Sequence, residues 1–175
     1  MMFDIWMRLL ERVPGSVLWL LETNATATAN LRREAEARLK GGAARLVFAP
    51  TLANPEHLAR FAVAGVFLDT LPYNAHTLSS DALWGGCPVL TCAGETFASR
   101  VAGSILHAAG LPELVTSTLA EYEALALRLV GDREELRAFR ARLERNRLEL
   151  PLFDTPRFAR DIEAAFEWMV RNAQA

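Results

Sequence analysis

Three short groups of side chains could do chemistry in this sequence. Asn54, His57 and Arg60 open one helical stretch, where His57 and Arg60, three apart, share a face. An imidazole can stack on a heterocyclic base and a guanidinium can donate to its carbonyl oxygens, although the same pair also suits a solvated helix face. His76 and Thr77 stand at the start of a second helix, with Asp81 one turn further on. Unpaired backbone N–H groups and the helix dipole favour an anion at such a tip, so a phosphate is the first ligand to consider. The Thr77 hydroxyl suits phosphate oxygens and the Asp81 carboxylate suits ribose hydroxyls. Capping by Thr77 or His76, with Asp81 in the early dipole, explains the same spacing. The third group is Glu95 and Thr96, with Ser99 and Arg100 behind them. Glu95 could accept from sugar hydroxyls while Arg100 offsets its charge; a cap by Thr96 or Ser99 accounts for these residues equally well.

The elements that must hold these groups follow from hydrophobic pattern. Residues 68–96, LDTLPYNAHTLSSDALWGGCPVLTCAGET, read as strand end, polar loop, helix over 77–84 stopped by Gly85-Gly86, strand over 88–91, and second polar loop. Upstream, 3–13 is an amphipathic helix ended by Pro14-Gly15, and the continuous apolar run 16–21 predicts a strand buried on both faces. A helix over 24–39 follows, with Glu34 and Arg38 placed to pair, then a strand over 45–48 and a short helix begun by Pro55. Downstream come a helix over 99–109, carrying a structural His107, a strand over 113–116 and a helix over 118–130. A charged helical run over 132–148 follows, then a last helix with Thr155 as cap and Pro156 at its first position. The alternation predicts one α/β three-layer domain over residues 1–175, with a single doubly wound parallel sheet. Two loops that each open a helix then lie side by side at the carboxyl end of the sheet, where such folds bind ligands. A unit of this kind normally opens on a strand, and this chain opens on a helix. The expectation is that a first strand, with a preceding domain, belongs upstream.

Composition narrows the function classes. The chain has 175 residues, 51% of them hydrophobic, enough for one core. A net charge of −2 gives no electrostatic case for nucleic acid or an acidic membrane. Lys40 is the only lysine, and there is no P-loop, no G-x-G-x-x-G after a strand and no H-E-x-x-H. With no D-x-D pair either, no metal site is expected. Cys87 and Cys92 read as buried thiols. The first residues include Asp4, Arg8, Glu11 and Arg12, unlike a signal peptide, and no apolar run is long enough to span a membrane, so a cytoplasmic protein is expected.

The stretch LDTLPYNAHTLSSDALWGGCPVLTCAGETFASRVAGS resembles the catalytic region of the O-linked N-acetylglucosamine transferase family, which includes the SPINDLY-like proteins. RVPGSVLWLLE, EHLARF and LFDTPRFARDIEAAFEWM are similar to the same family, so the resemblance covers essentially the whole chain. It implies the C-terminal, Rossmann-like half of a GT-B glycosyltransferase that grips a nucleotide sugar. An N-terminal catalytic half and tetratricopeptide repeats are expected elsewhere in the full-length protein. By position it implies that His57 stacks on uracil, Arg60 hydrogen-bonds it, His76 and Thr77 hold the diphosphate, and Asp81 holds the ribose. The resemblance also implies a Lys in animal members where Asn54 stands, a second Thr where Leu78 stands, and a smaller residue lining the sugar pocket where Tyr73 stands. The family's first strand and its loop carry a Gln and a Lys on the diphosphate, and neither is in this chain.

The expected function is thus the donor-binding half of a protein O-glycosyltransferase. It would transfer N-acetylglucosamine from UDP-N-acetylglucosamine to Ser or Thr hydroxyls, inverting and metal-independent, with no cofactor beyond the UDP-sugar. The chain alone is expected to be inactive, since the acceptor side and any general base lie in the absent half. An O-fucosyltransferase of the SPINDLY type and a UDP-sugar epimerase of similar fold are further enzyme readings. The rival from another class is a silent nucleotide-binding or interaction module, recruiting partners through open apolar stripes on the first and last helices.

Overall fold

The computed structural model describes residues 1–173. It opens on α1 (Met2–Arg12), whose Ile5, Met7, Leu9 and Leu10 are all buried. Then follow β1 (Leu18–Leu21), α2 (Ala25–Arg38), β2 (Leu46–Ala49), α3 (Asn54–Arg60), β3 (Phe67–Leu68), α4 (Thr77–Trp84) and β4 (Val89–Cys92). The chain continues through α5 (Val101–Ala108), β5 (Val115–Thr116), α6 (Leu119–Gly131), α7 (Arg133–Asn146) and α8 (Thr155–Asn172). Local chemistry sets several of these ends. Asn24 caps α2 by accepting from the Ala27 N–H at 2.8 Å, and Arg38 pairs with Glu34 at 2.6 Å as their spacing predicts.

All strand pairs are parallel, as the alternation predicts. They form two hydrogen-bonded groups, β1-β2 and β3-β4-β5, instead of the single continuous sheet expected. The Arg60 guanidinium of α3 lies 5.9 Å from the Trp19 ring of β1. Helix α1 lies across both groups. Ile5 and Leu9 pack with Leu90, Cys92 and Tyr122, while Met7 and Leu10 pack with Ala35 and Leu46.

The main core is built on β4, whose four residues are all buried because α1 and α6 cover one face and α4 and α5 the other. Burying each of its larger apolar side chains contributes about 1.5–3 kcal/mol. Helix α7 joins this core through Phe139 and Leu143, and Arg140 ties it to the carbonyls of Ala62, Ala64 and Gly65 ahead of β3. Cys87 and Cys92 are buried thiols, and burial pushes Cys87 up to about 11. No helix among the described residues is long and apolar enough to cross a membrane.

Four details depart from the sequence expectation. Strand β1 is buried on one face only: Leu18 and Leu20 face the α1–α2 core, whereas Trp19 and Leu21 are 39% and 52% exposed. Strand β5 is two residues long because Pro112 begins a 3-10 turn that takes up Pro112–Leu114. Helix α8 is capped by Asp154, which accepts from the Arg157 N–H at 3.0 Å, and Thr155 is its first helical residue. The α1 stripe expected to lie open is buried, and only the α8 stripe (Phe158, Ile162, Phe166, Met169) is exposed.

Candidate functional site

The site grows from the end of β3. Asp69, 1% exposed, closes that strand and turns its carboxylate inward. Its Oδ1 accepts from the N–H of Thr70 at 2.8 Å and of Ala75 at 2.6 Å, and its Oδ2 accepts from the Thr91 hydroxyl of β4 at 2.6 Å. Burial pushes this carboxyl above the usual carboxylate range, and the three donors oppose the shift. The Tyr122 hydroxyl donates to the Asp69 carbonyl at 2.9 Å, fixing the same residue from α6. The loop that follows is drawn into a tight turn. Asn74 Nδ2 donates to the Thr70 carbonyl at 2.8 Å, and the Ser79 hydroxyl donates to the Ala75 carbonyl at 2.9 Å.

This turn delivers His76 to the N-cap position of α4. No side chain caps the helix there. The Ser79 N–H reaches the His76 carbonyl at 3.0 Å, whereas the N–H groups of Thr77 and Leu78 meet no acceptor among the described residues. Thr77 and Leu78 are exposed. The His76 ring stacks on Tyr73, centroids 4.9 Å apart at 18°, and meets the Phe97 edge at 6.3 Å. Its Nε2 is buried with no hydrogen-bond partner among the described residues. A cleft of about 440 Å³ opens here, lined by Asp69, Thr70, Tyr73, Asn74, Ala75, His76, Thr77 and Leu78 among others. An unpaired imidazole nitrogen and two unspent N–H groups at a helix tip form an anion-accepting arrangement.

Asn54, His57, Arg60, Asp81 and Glu95 are not among the residues that line this cleft. His57 on α3 turns toward α4, its Nε2 3.6 Å from Asp81 Oδ2, so the first two groups meet there. Arg60 diverges from His57: it donates to the Pro50 carbonyl at 3.0 Å and lies over Trp19. Asn54 is exposed at the first position of α3 and caps nothing. The second loop lies against the first through the Asn74 N–H, which donates to the Ala98 carbonyl at 3.0 Å. Thr96 and Ser99 cap each other's turn, which is the structural alternative for those two residues. Glu95 and Arg100 are exposed at the loop's outer side. His107 donates to or accepts from nothing in the cleft; its Nδ1 lies 2.8 Å from the Gly103 carbonyl. The residues that sequence reasoning missed are the buried polar set Asp69, Asn74, Ser79 and Thr91. A Thr inside the apolar run of β4 was the one available signal.

Comparison with known proteins gives the family of the chain. The model of the family described as glycosyl transferase family 41 matches residues 1–162. The chain is 40% identical over 160 residues to a UDP-N-acetylglucosamine–peptide N-acetylglucosaminyltransferase of Caenorhabditis elegans, covering 91% of this chain and 14% of that protein. It is 37% identical over 166 residues to the probable enzyme of that type named SEC in Arabidopsis thaliana, covering 93% of this chain and 17% of the relative. It is 30% identical over 170 residues to the SPINDLY protein of Hordeum vulgare, covering 95% and 18%. A solved structure of a Thermobaculum terrenum O-GlcNAc transferase mutant superposes with a TM-score of 0.91 at 34% identity, over 98% of this chain and 34% of that one. The chain therefore spans less than a fifth of the length of these sequence relatives and about a third of the solved one.

Proposed function

The chain belongs to glycosyl transferase family 41, and from that premise we propose that it is the donor-gripping half of a protein O-glycosyltransferase. The donor is UDP-N-acetylglucosamine and the acceptor a peptide, a reading supported by the names of the worm and plant relatives, and the group that takes the sugar is a Ser or Thr hydroxyl. The observation that carries it is the tip of α4, where the unspent N–H groups of Thr77 and Leu78 and the unpaired His76 Nε2 border one cleft.

In this reading the diphosphate sits on that tip. As the sugar–phosphate bond breaks, negative charge grows on the departing phosphate oxygen, and donors already aimed there stabilise it without reorganising. His76 and Thr77 are the residues that act on the leaving group. The uracil stacks on His57 with Arg60 swinging from the Pro50 carbonyl to donate to it, and Asp81 and Asn54 face the ribose. Tyr73 and Glu95 border the sugar. Attack on the face opposite the leaving group inverts the anomeric carbon, and no metal takes part. The acceptor and its base come from the larger part of the family polypeptide, so this chain alone transfers no sugar.

Calorimetry with UDP tests the site. Binding to the intact chain is expected, with His76→Ala weakening it about tenfold or more, the loss of a charge-assisted contact. Unchanged binding in that variant overturns the assignment, and so does transfer from UDP-N-acetylglucosamine to a Ser/Thr peptide by this chain alone for the division of labour. The open α8 stripe favours a second reading, a silent interaction module; intact protein that ignores UDP supports it.

A further inference from the structure

Asp69, 1% exposed, lies in the wall of the cleft, with its carboxylate hydrogen-bonded to the turn and to β4. It holds the Ala75 N–H at 2.6 Å, one residue before His76, and the Thr91 hydroxyl of the fully buried strand β4 at 2.6 Å. Strand, carboxylate and turn are thus linked in series. An ionised carboxylate is expensive to bury, and a loop that needed only to change direction could do so with backbone bonds. Here the carboxylate instead holds the peptide N–H of Ala75, one residue ahead of the helix tip, beside the Ser79 hydroxyl on the Ala75 carbonyl.

We propose that Asp69 is a positioning residue: it clamps Ala75 to β4 through Thr91, and so holds His76 and the N–H groups of Thr77 and Leu78 aimed at the phosphate position. This rests on the reading of the α4 tip as a diphosphate site. The Asp69 carboxylate is occupied by the turn and by Thr91, and it acts on the phosphate end alone. The base and ribose are bound from α3 and Asp81, which the clamp does not contact. The inference therefore separates the two ends of the ligand.

The test is NMR titration of the chain with UDP and with uridine, which lacks phosphates, in Asp69→Ala, Asp69→Asn and Thr91→Val. Asp69→Ala is expected to weaken UDP about tenfold while uridine changes less than about twofold, because two aimed donors lose their geometry. Asp69→Asn keeps an acceptor oxygen for the two N–H groups and recovers UDP affinity to within about threefold of the unaltered chain. Should Asp69→Ala fail to fold, Thr91→Val carries the same comparison, with UDP weakened and uridine unchanged. Equal losses for both ligands, or no loss of UDP, overturn the proposal. If neither ligand binds the unaltered chain, the nucleotide reading falls and the clamp is judged by amides alone. A slowly exchanging Ala75 amide that is lost in Asp69→Ala, with shifts at Thr77 and Leu78, supports it. A rapidly exchanging Ala75 amide in the unaltered chain refutes it.

Discussion

Gly85 decides how closely α3 and α4 approach. A Cβ there would lie 2.6 Å from the Phe61 Cβ and 2.9 Å from the Leu58 carbonyl, and neither the buried Phe61 nor the backbone has room to yield. That contact brings His57 to Asp81. Gly85→Ala is expected to push α3 outward and cost about 1–3 kcal/mol of stability. Urea unfolding measures the cost, and UDP titration of the same variant should show weaker binding because His57 is displaced from Asp81. The visible and hidden parts of the site differ for a physical reason. His76 and Thr77 could be read because strand, loop and helix follow one another in the chain, and the tip falls where the helix begins. Asp69 could not be read as a clamp, because an acid closing a strand looks the same whether solvated or buried. Its partners are Thr91, 22 residues on, and Tyr122, 53 residues on, and only folding brings them together.

Helix spans were more legible than helix caps: the helix read over 118–130 is α6, whereas the cap read at Thr155 lies one residue earlier. At α6 the Thr118 hydroxyl accepts from the Glu121 N–H at 3.1 Å, and the Glu121 carboxylate accepts from the N–H of Ser117 at 2.9 Å and of Thr118 at 3.1 Å. Thr118→Ala should cost about 1 kcal/mol in urea unfolding. The two backbone donors hold Glu121 below the usual glutamate value, as the N–H groups of Gly41 and Ala43 hold Glu36 and as Arg8 holds Glu123. A carboxyl lowered on folding adds stability that is present above its unfolded value, near 4.5, and is lost as pH falls through the folded one. Thermal scans should therefore show Tm dropping below about pH 4.5, with Glu121→Gln flattening that limb. Asp69 has the opposite sign, so its carboxylate costs stability at neutral pH and Asp69→Asn relieves that cost. The strands were less legible than the helices. An apolar run such as 16–21 promises a buried strand without saying what covers it, and Trp19 and Leu21 turned out to face outward.

At the scale of the whole molecule, the fold class followed from the alternation of strands and helices, but the continuity of the sheet did not. The strands are mainly apolar, and nothing in their composition says which edge finds a partner. β4 is paired on both sides, whereas β1 and β3 each have one partner among the described residues. Amide exchange should resolve this: β4 amides are expected to be the slowest of the five strands, and the β1 amides turned away from β2 among the fastest. Uniform protection across β1 would show that its free edge is covered. The two thiols have a separate consequence. Cys87 and Cys92 lie sealed beneath α4 and at the end of β4, at 0% and 4% exposure, so thiol-directed reagents should find almost nothing to modify in the folded chain. A single cysteine engineered at the exposed Glu95 would then accept a fluorophore cleanly, giving an optical reporter of nucleotide arrival beside the cleft without removing either native sulfur.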